Sequence, residues 1–180
     1  EKKVKAIINC SISKRLLSSS MKIGVTEFLA SKCKVKINSD VMMITNSQFS
    51  VVPLTTHIDI KEVAKKIDQK LIITKILTLN DKFKKLFKFN PKIGILGLNP
   101  HNGELRNNSE EKNIIIPAIK KLKKRKINLT GPIVADTAFI SSYKKFDVLV
   151  GMYHDQVLSP FKSLYKFNAI NVTLGLSYIR

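Results

Sequence analysis

Short runs of β-branched and apolar residues alternate along the chain with longer stretches whose apolar positions recur at helical spacing. That alternation predicts an α/β protein. Strands are predicted over residues 4–9, 40–45, 49–54, 93–98, 148–152 and 169–174, and Asn46-Ser47 separates the second from the third at the spacing of a hairpin turn. A short helix is predicted over 26–33, with Phe28 and Leu29 facing inward, and a second is capped by Asp59 and runs through Ile67. Residues 71–87 carry Phe83, Leu86 and Phe87 on one face of a helix and lysines on the other, the pattern of a core-packed helix with a solvated back. Asn90-Pro91 ends that helix. Ser109, Glu110 and Glu111 suit the positive end of the next helix, and Lys120 to Lys126 its negative end. Gly131-Pro132 is predicted to turn the chain, and residues 136–143 to form a helix of about two turns.

The 180 residues, 44% hydrophobic, suffice for one globular domain spanning 1–180. The chain opens on Glu1 and closes on Arg180 after an apolar run, so it is expected to be a fragment of a longer protein. A net charge of +19 raises the question of a nucleic-acid partner. The lysines, however, are scattered among abundant isoleucine and asparagine, the drift of A- and T-rich coding DNA. The two basic runs, 82–88 and 120–126, lack the interleaved aromatics of a base-stacking surface. No partner nucleic acid and no membrane association is expected: no apolar stretch reaches the ~20 residues of a membrane span. With no secretory leader evident, a cytoplasmic location is expected. Cys10 and Cys33 lack the spacing of a metal knuckle or redox pair and read as reduced, buried thiols.

The three histidines carry the candidate chemistry. Each falls just past the carboxyl end of a predicted strand: His57, His101 and His154. In open α/β sheets those ends form the ligand crevice. Taken singly, each reads as a polar loop residue. The repeated placement puts a shared divalent-metal site on an equal footing, since three neutral imidazoles leave a coordination position open for substrate.

Several segments resemble the 4-hydroxythreonine-4-phosphate dehydrogenase family of pyridoxine (vitamin B6) biosynthesis. They are Asn99-Pro100-His101-Asn102-Gly103-Glu104, Gly131-Pro132 with Ala135-Asp136-Thr137, Met152-Tyr153-His154-Asp155-Gln156, and Asn171-Val172-Thr173-Leu174-Gly175-Leu176 running into Ile179-Arg180. The resemblance covers essentially the entire chain. It implies a three-layer α/β/α fold with a mostly parallel sheet, isocitrate/isopropylmalate dehydrogenase-like, lacking the family's N-terminal region and C-terminal segment. It also implies a divalent metal (Zn, Mg or Co) on His57, His101 and His154. Substrate contacts fall on Thr26, Lys162, Asn171 and Arg180, and Asp136, Asp155 and Lys162 stand near the reacting centre. The implied reaction is NAD- or NADP-dependent oxidation of 4-phosphooxy-L-threonine to a β-keto acid that decarboxylates. The implied assembly is a homodimer with the active site at the subunit interface, each subunit contributing metal ligands, so the isolated chain is expected to be inactive.

The sequence departs from the family pattern at four places. Val25 stands where the family has a histidine, and Asn9 to Ser13 replace its Thr-Gly-Pro-like loop before Lys14. Leu105-Arg106-Asn107 replace a glycine-rich stretch, and Val157 takes a glycine position. These departures leave open a relative acting on another phosphorylated hydroxy acid, or a degenerate remnant without activity. A basic nucleic-acid-binding module is the alternative of a different class.

Overall fold

The computed structural model describes residues 39–140 and 142–176. The strand and helix predicted before residue 39, together with Lys14, Val25, Thr26 and Arg180, lie outside the described residues. The described residues belong to one compact unit, Val35–Arg180.

The elements run β1 (Val41–Thr45), β2 (Ser50–Pro53), α1 (Ile60–Lys66), α2 (Gln69–Phe87), β3 (Ile93–Leu96), α3 (Ile116–Lys124), β4 (Leu129–Ile133), α4 (Ala135–Ala138), β5 (Val148–Gly151), α5 (His154–Tyr165) and β6 (Ile170–Leu174). The strands form a six-stranded sheet in the order β4-β3-β5-β2-β1-β6. β4, β3, β5 and β2 are parallel neighbours. β1 runs against both β2 and β6, so the sheet is mostly parallel with one reversed strand. The β1–β2 pair is the hairpin that Asn46-Ser47 suggested: the Asn46 side chain accepts hydrogen bonds from Gln48 N and Phe49 N, each at 2.9 Å, and so closes the turn.

Helices cover both faces, because the central strands are apolar on both. Val148 and Val150 of β5 join the core under α1, α2 and α3, while Leu149 between them faces the second core with Phe161, Val157 and Tyr143. A strand buried on both sides reads as a continuous apolar run, as Val148-Leu149-Val150 does. Helix α2 starts where the Asp68 carboxylate accepts from Leu71 N at 2.6 Å, and it ends where Lys88 turns left-handed. Its buried stripe is Ile72, Ile76, Leu79 and Phe83; Phe87, predicted on that face, is 40% exposed and packs edgewise of the core against Phe83 and Phe89.

Local expectations needed correction at three points. Asp59 occupies the N-cap of α1 without a side-chain cap bond. The helix expected over 136–143 stops at Ala138, whose carbonyl accepts a bond from the Ser142 hydroxyl at 3.0 Å, and a separate 3-10 turn, Ser142–Lys145, follows. Gly131-Pro132 lies inside edge strand β4 as a cis peptide, where a missing N–H costs no rung on the open side. Gly131 is required there, since a Cβ would come within 2.5 Å of the Ile95 carbonyl oxygen. Among the described residues no helix is long and apolar enough to cross a membrane.

Candidate active-site crevice

Four adjacent parallel strands deliver candidate residues to one end of the sheet: Asp136 follows β4, His101 follows β3, His154 follows β5 and His57 follows β2. Continuity of the backbone ladders divides this group. The β2–β5 pairing continues past the strands through Leu54 N to Gly151 O at 2.8 Å and Thr55 N to Met152 O at 3.2 Å. The Thr55 hydroxyl donates to the same Met152 oxygen at 2.7 Å. The His57 and His154 rings are consequently neighbours, with centroids 5.9 Å apart. On the other side Gly97 N reaches Ile133 O at 2.9 Å, and Asn102 Nδ2 donates to Pro132 O at 3.2 Å, tying the His101 turn to β4. His101 thus belongs to the β3–β4 half, and His57 and His154 to the β5–β2 half. Among the described residues no three His, Cys, Asp or Glu side chains come together in a metal-holding group.

His154 opens α5, and its Nδ1 lies 2.7 Å from Asp155 Oδ1. An ionised carboxylate only accepts, so the proton sits on Nδ1 and the Nε2 lone pair is left for a ligand. The four family departures resolve differently. Val157 is fully buried on α5 and lies against Gly151, where an added Cβ would come within 2.5 Å of Val157 Cγ1. A glycine on the strand accommodates the bulk on the helix. At the replaced glycine-rich stretch, by contrast, residues 101–105 form a left-handed turn with φ of 50°, 56°, 58°, 49° and 54°. Only Gly103 among them adopts that conformation without steric cost. Leu105 is 49% exposed and buries little, so Leu105→Gly is expected to stabilise the fold by about 0.5–1 kcal/mol, read as a rise in the urea midpoint at constant slope. The departures at Val25 and at residues 9–13 lie outside the described residues.

Ser109, Glu110 and Glu111 open a helical segment as expected, with Glu111 in its first turn. Glu111 is also wholly buried, which the sequence did not indicate, and anchors the His101 turn by accepting from Leu98 N at 2.8 Å, Asn99 N at 2.7 Å and Asn99 Nδ2 at 3.0 Å. Burial alone would raise its pKa, but the hydrogen bonds from Asn99 and Leu98 outweigh that and hold the carboxyl below its usual value. A carboxylate so depressed contributes stability above the ordinary glutamate value of about 4.3, and loses it as pH falls through the lower folded value. Stability is expected to drop below about pH 4–5, with a shallower drop in Glu111→Gln, measured by denaturant titration across pH.

Lys162 and Asn171 lie elsewhere. Lys162 is in the last turn of α5, about 12 Å of helix rise from His154, toward the opposite end of the strands. Asn171 is exposed on β6, opposite Ile44, which in turn pairs with Val51 near the start of β2. Asp136 and Asp155 are both exposed at the crevice end.

The mostly parallel sheet, covered by helices on both faces and carrying polar residues past its carboxyl strand ends, defines an α/β protein of the doubly covered class, in which those ends are the usual place for a ligand. Residues 1–180 match the family described as pyridoxal phosphate biosynthetic protein PdxA, and the chain belongs to that family. It is 44% identical over 186 residues to 4-hydroxythreonine-4-phosphate dehydrogenase of Sulfurihydrogenibium sp. (strain YO3AOP1), covering 100% of this chain and 56% of that protein. It is 36% identical to a protein of Oceanobacillus iheyensis provisionally named as a D-threonate 4-phosphate dehydrogenase, covering 100% of this chain and 55% of the relative. In structure it is similar to 4-hydroxythreonine-4-phosphate dehydrogenase from Klebsiella pneumoniae, with a TM-score of 0.81 at 30% identity, covering 92% of this chain and 50% of that one. The chain spans about half the length of the relatives it matches.

Proposed function

We propose that this chain is the metal- and substrate-binding part of an oxidoreductase of vitamin B6 biosynthesis that oxidises 4-phosphooxy-L-threonine to 2-amino-3-oxo-4-phosphooxybutanoate, which loses carbon dioxide to give 3-amino-2-oxopropyl phosphate. The observation that carries the reading is the delivery of His57, His101, His154 and Asp136 to one end of four adjacent parallel strands, in a chain of this family. The overall frame is read as isocitrate/isopropylmalate dehydrogenase-like.

The paired rings of His57 and His154, with His154 oriented by Asp155, suit two positions of a divalent metal such as Zn, Mg or Co. His101 follows β3, and the family likeness implies that the ligands of a complete three-imidazole set are divided between the chains of a homodimer. In the complete enzyme the metal would supply Lewis-acid polarisation of the reacting oxygen, and NAD or NADP would supply the hydride acceptor. Asp155 orients the His154 ring, and Asp136 and Asp155 are both exposed carboxylates at the strand ends where the family likeness places the reacting centre. Thr26, Lys162, Asn171 and Arg180 are assigned to the anionic groups of the substrate by the family likeness; lysine and arginine are the side chains that phosphate and carboxylate require.

A second reading keeps the chemistry and changes the substrate: Val25 in place of the family histidine permits another phosphorylated hydroxy acid, and the name of the Oceanobacillus relative supplies one to test, D-threonate 4-phosphate. Cofactor reduction by the full-length protein, compared between 4-phosphooxy-L-threonine and D-threonate 4-phosphate, separates the two. Turnover with neither would sink both.

A further inference from the structure

Between β3 and β5 the ladder runs Ile93↔Val148, Gly94↔Leu149 and Ile95↔Val150, and no pair beyond it is formed. Two residues further along each strand stand Gly97 and Met152, and they are joined through a side chain. Gln156 Oε1 accepts from Met152 N at 2.7 Å, and its Nε2 donates to Gly97 O at 2.8 Å. Both backbone partners have a fixed sense, N–H on one side and carbonyl on the other, so the amide has one possible orientation. We infer that Gln156 is a positioning residue: its amide stands in for a peptide rung between the parting ends of β3 and β5, and so sets the separation of the His101 half of the crevice from the His57–His154 half.

The surroundings fit that task. Gln156 lies in the first turn of α5, two residues after His154, and Gly97 stands four residues before His101. Gly151 lacks the Cβ that would otherwise come 3.0 Å from Gln156 Oε1, so the first turn of α5 can sit close enough to the strand for the side chain to span. On the far side Gly97 is held to β4 through Ile133 O, which makes β3 a firm anchor. An amide of fixed length between two anchored strands defines a distance, and a displacement of about 1 Å in a reacting geometry costs on the order of 10²-fold in rate.

This inference rests on the dehydrogenase reading for its kinetic arm only. In the full-length protein, Gln156→Met keeps the side-chain length and removes both bonds. Gln156→Glu keeps the acceptor for Met152 N and loses the donor to Gly97 O. With 4-phosphooxy-L-threonine, kcat of Gln156→Met is expected to fall about 10–100-fold while KM stays within about threefold, because the residues assigned to the substrate's anions lie elsewhere. Gln156→Glu should retain slow amide exchange at Met152 and still lose kcat. A folded Gln156→Met protein with kcat within threefold of the parent overturns the assignment. Should the parent fail to turn over, the dehydrogenase reading falls on its own. Amide and histidine-ring NMR shifts then decide the positioning role: movement at His101, Asn102 and Gly103 in Gln156→Met supports it, and changes confined to α5 and Met152 refute it.

Discussion

In the full-length protein, His154→Ala is expected to lower kcat by at least about 10²–10³-fold, the range for removing one preorganised charge-stabilising group. Metal stoichiometry should fall with it, while the thermal midpoint stays nearly unchanged. His154 is part-exposed at the N-terminus of α5, and its ring touches His57 and Asp155 rather than the core, so little packing is lost. Asp155→Asn separates orientation from ligation. The imidazole remains, but the neutral amide no longer enforces a proton on Nδ1, so a smaller loss is expected, about 10–100-fold in metal affinity. Full metal occupancy by equilibrium dialysis in His154→Ala would remove this residue from the proposed site.

The second large effect concerns stability. Glu111→Ala strips the acceptor from two backbone N–H groups at the foot of the His101 turn, leaves the Asn99 amide only its bond to Glu110, and opens a cavity where the side chain was fully buried. Each buried donor left without a partner costs about 1–3 kcal/mol, so a loss of about 3–5 kcal/mol is expected. The turn itself adds to the demand, since it holds four non-glycine residues at positive φ. Glu111→Gln, which retains a carbonyl oxygen, should lose less. Urea denaturation that placed Glu111→Ala within 1 kcal/mol of the parent would show that the carboxylate does not hold the turn, since the expected loss is about 3–5 kcal/mol.

The two effects separate the roles of neighbouring side chains at one crevice. Glu111 fixes the root of the β3 loop from below, Gln156 spans from β5 to β3, and Asp155 orients a ring. Each of these three contacts constrains a backbone or ring that the proposed chemistry needs at a set place.

Much of the architecture follows from local composition. Continuous apolar runs such as Val148 to Val150 can sit only where both faces are covered, and the alternation of such runs with amphipathic helices leads to a helix-covered sheet. The Asn46-Ser47 hairpin and the position of the histidines at strand ends were legible for the same reason, because turn chemistry and strand limits are properties of a few consecutive residues. Legibility failed where the deciding partner is remote. Gly131-Pro132 looks like a turn locally, but pairing with β3 makes it part of an edge strand. Glu111 does stand in the first turn of a helical segment, but its burial against Leu98 and Asn99, more than ten residues away, was not legible locally. The role of Gln156 depends on a carbonyl 59 positions distant. Which strands are neighbours, and where their ladder stops, are set by the packing of the whole sheet. For that reason the grouping of His57 with His154, and the placement of His101 on the other side of the division, could be decided only once the chain was folded.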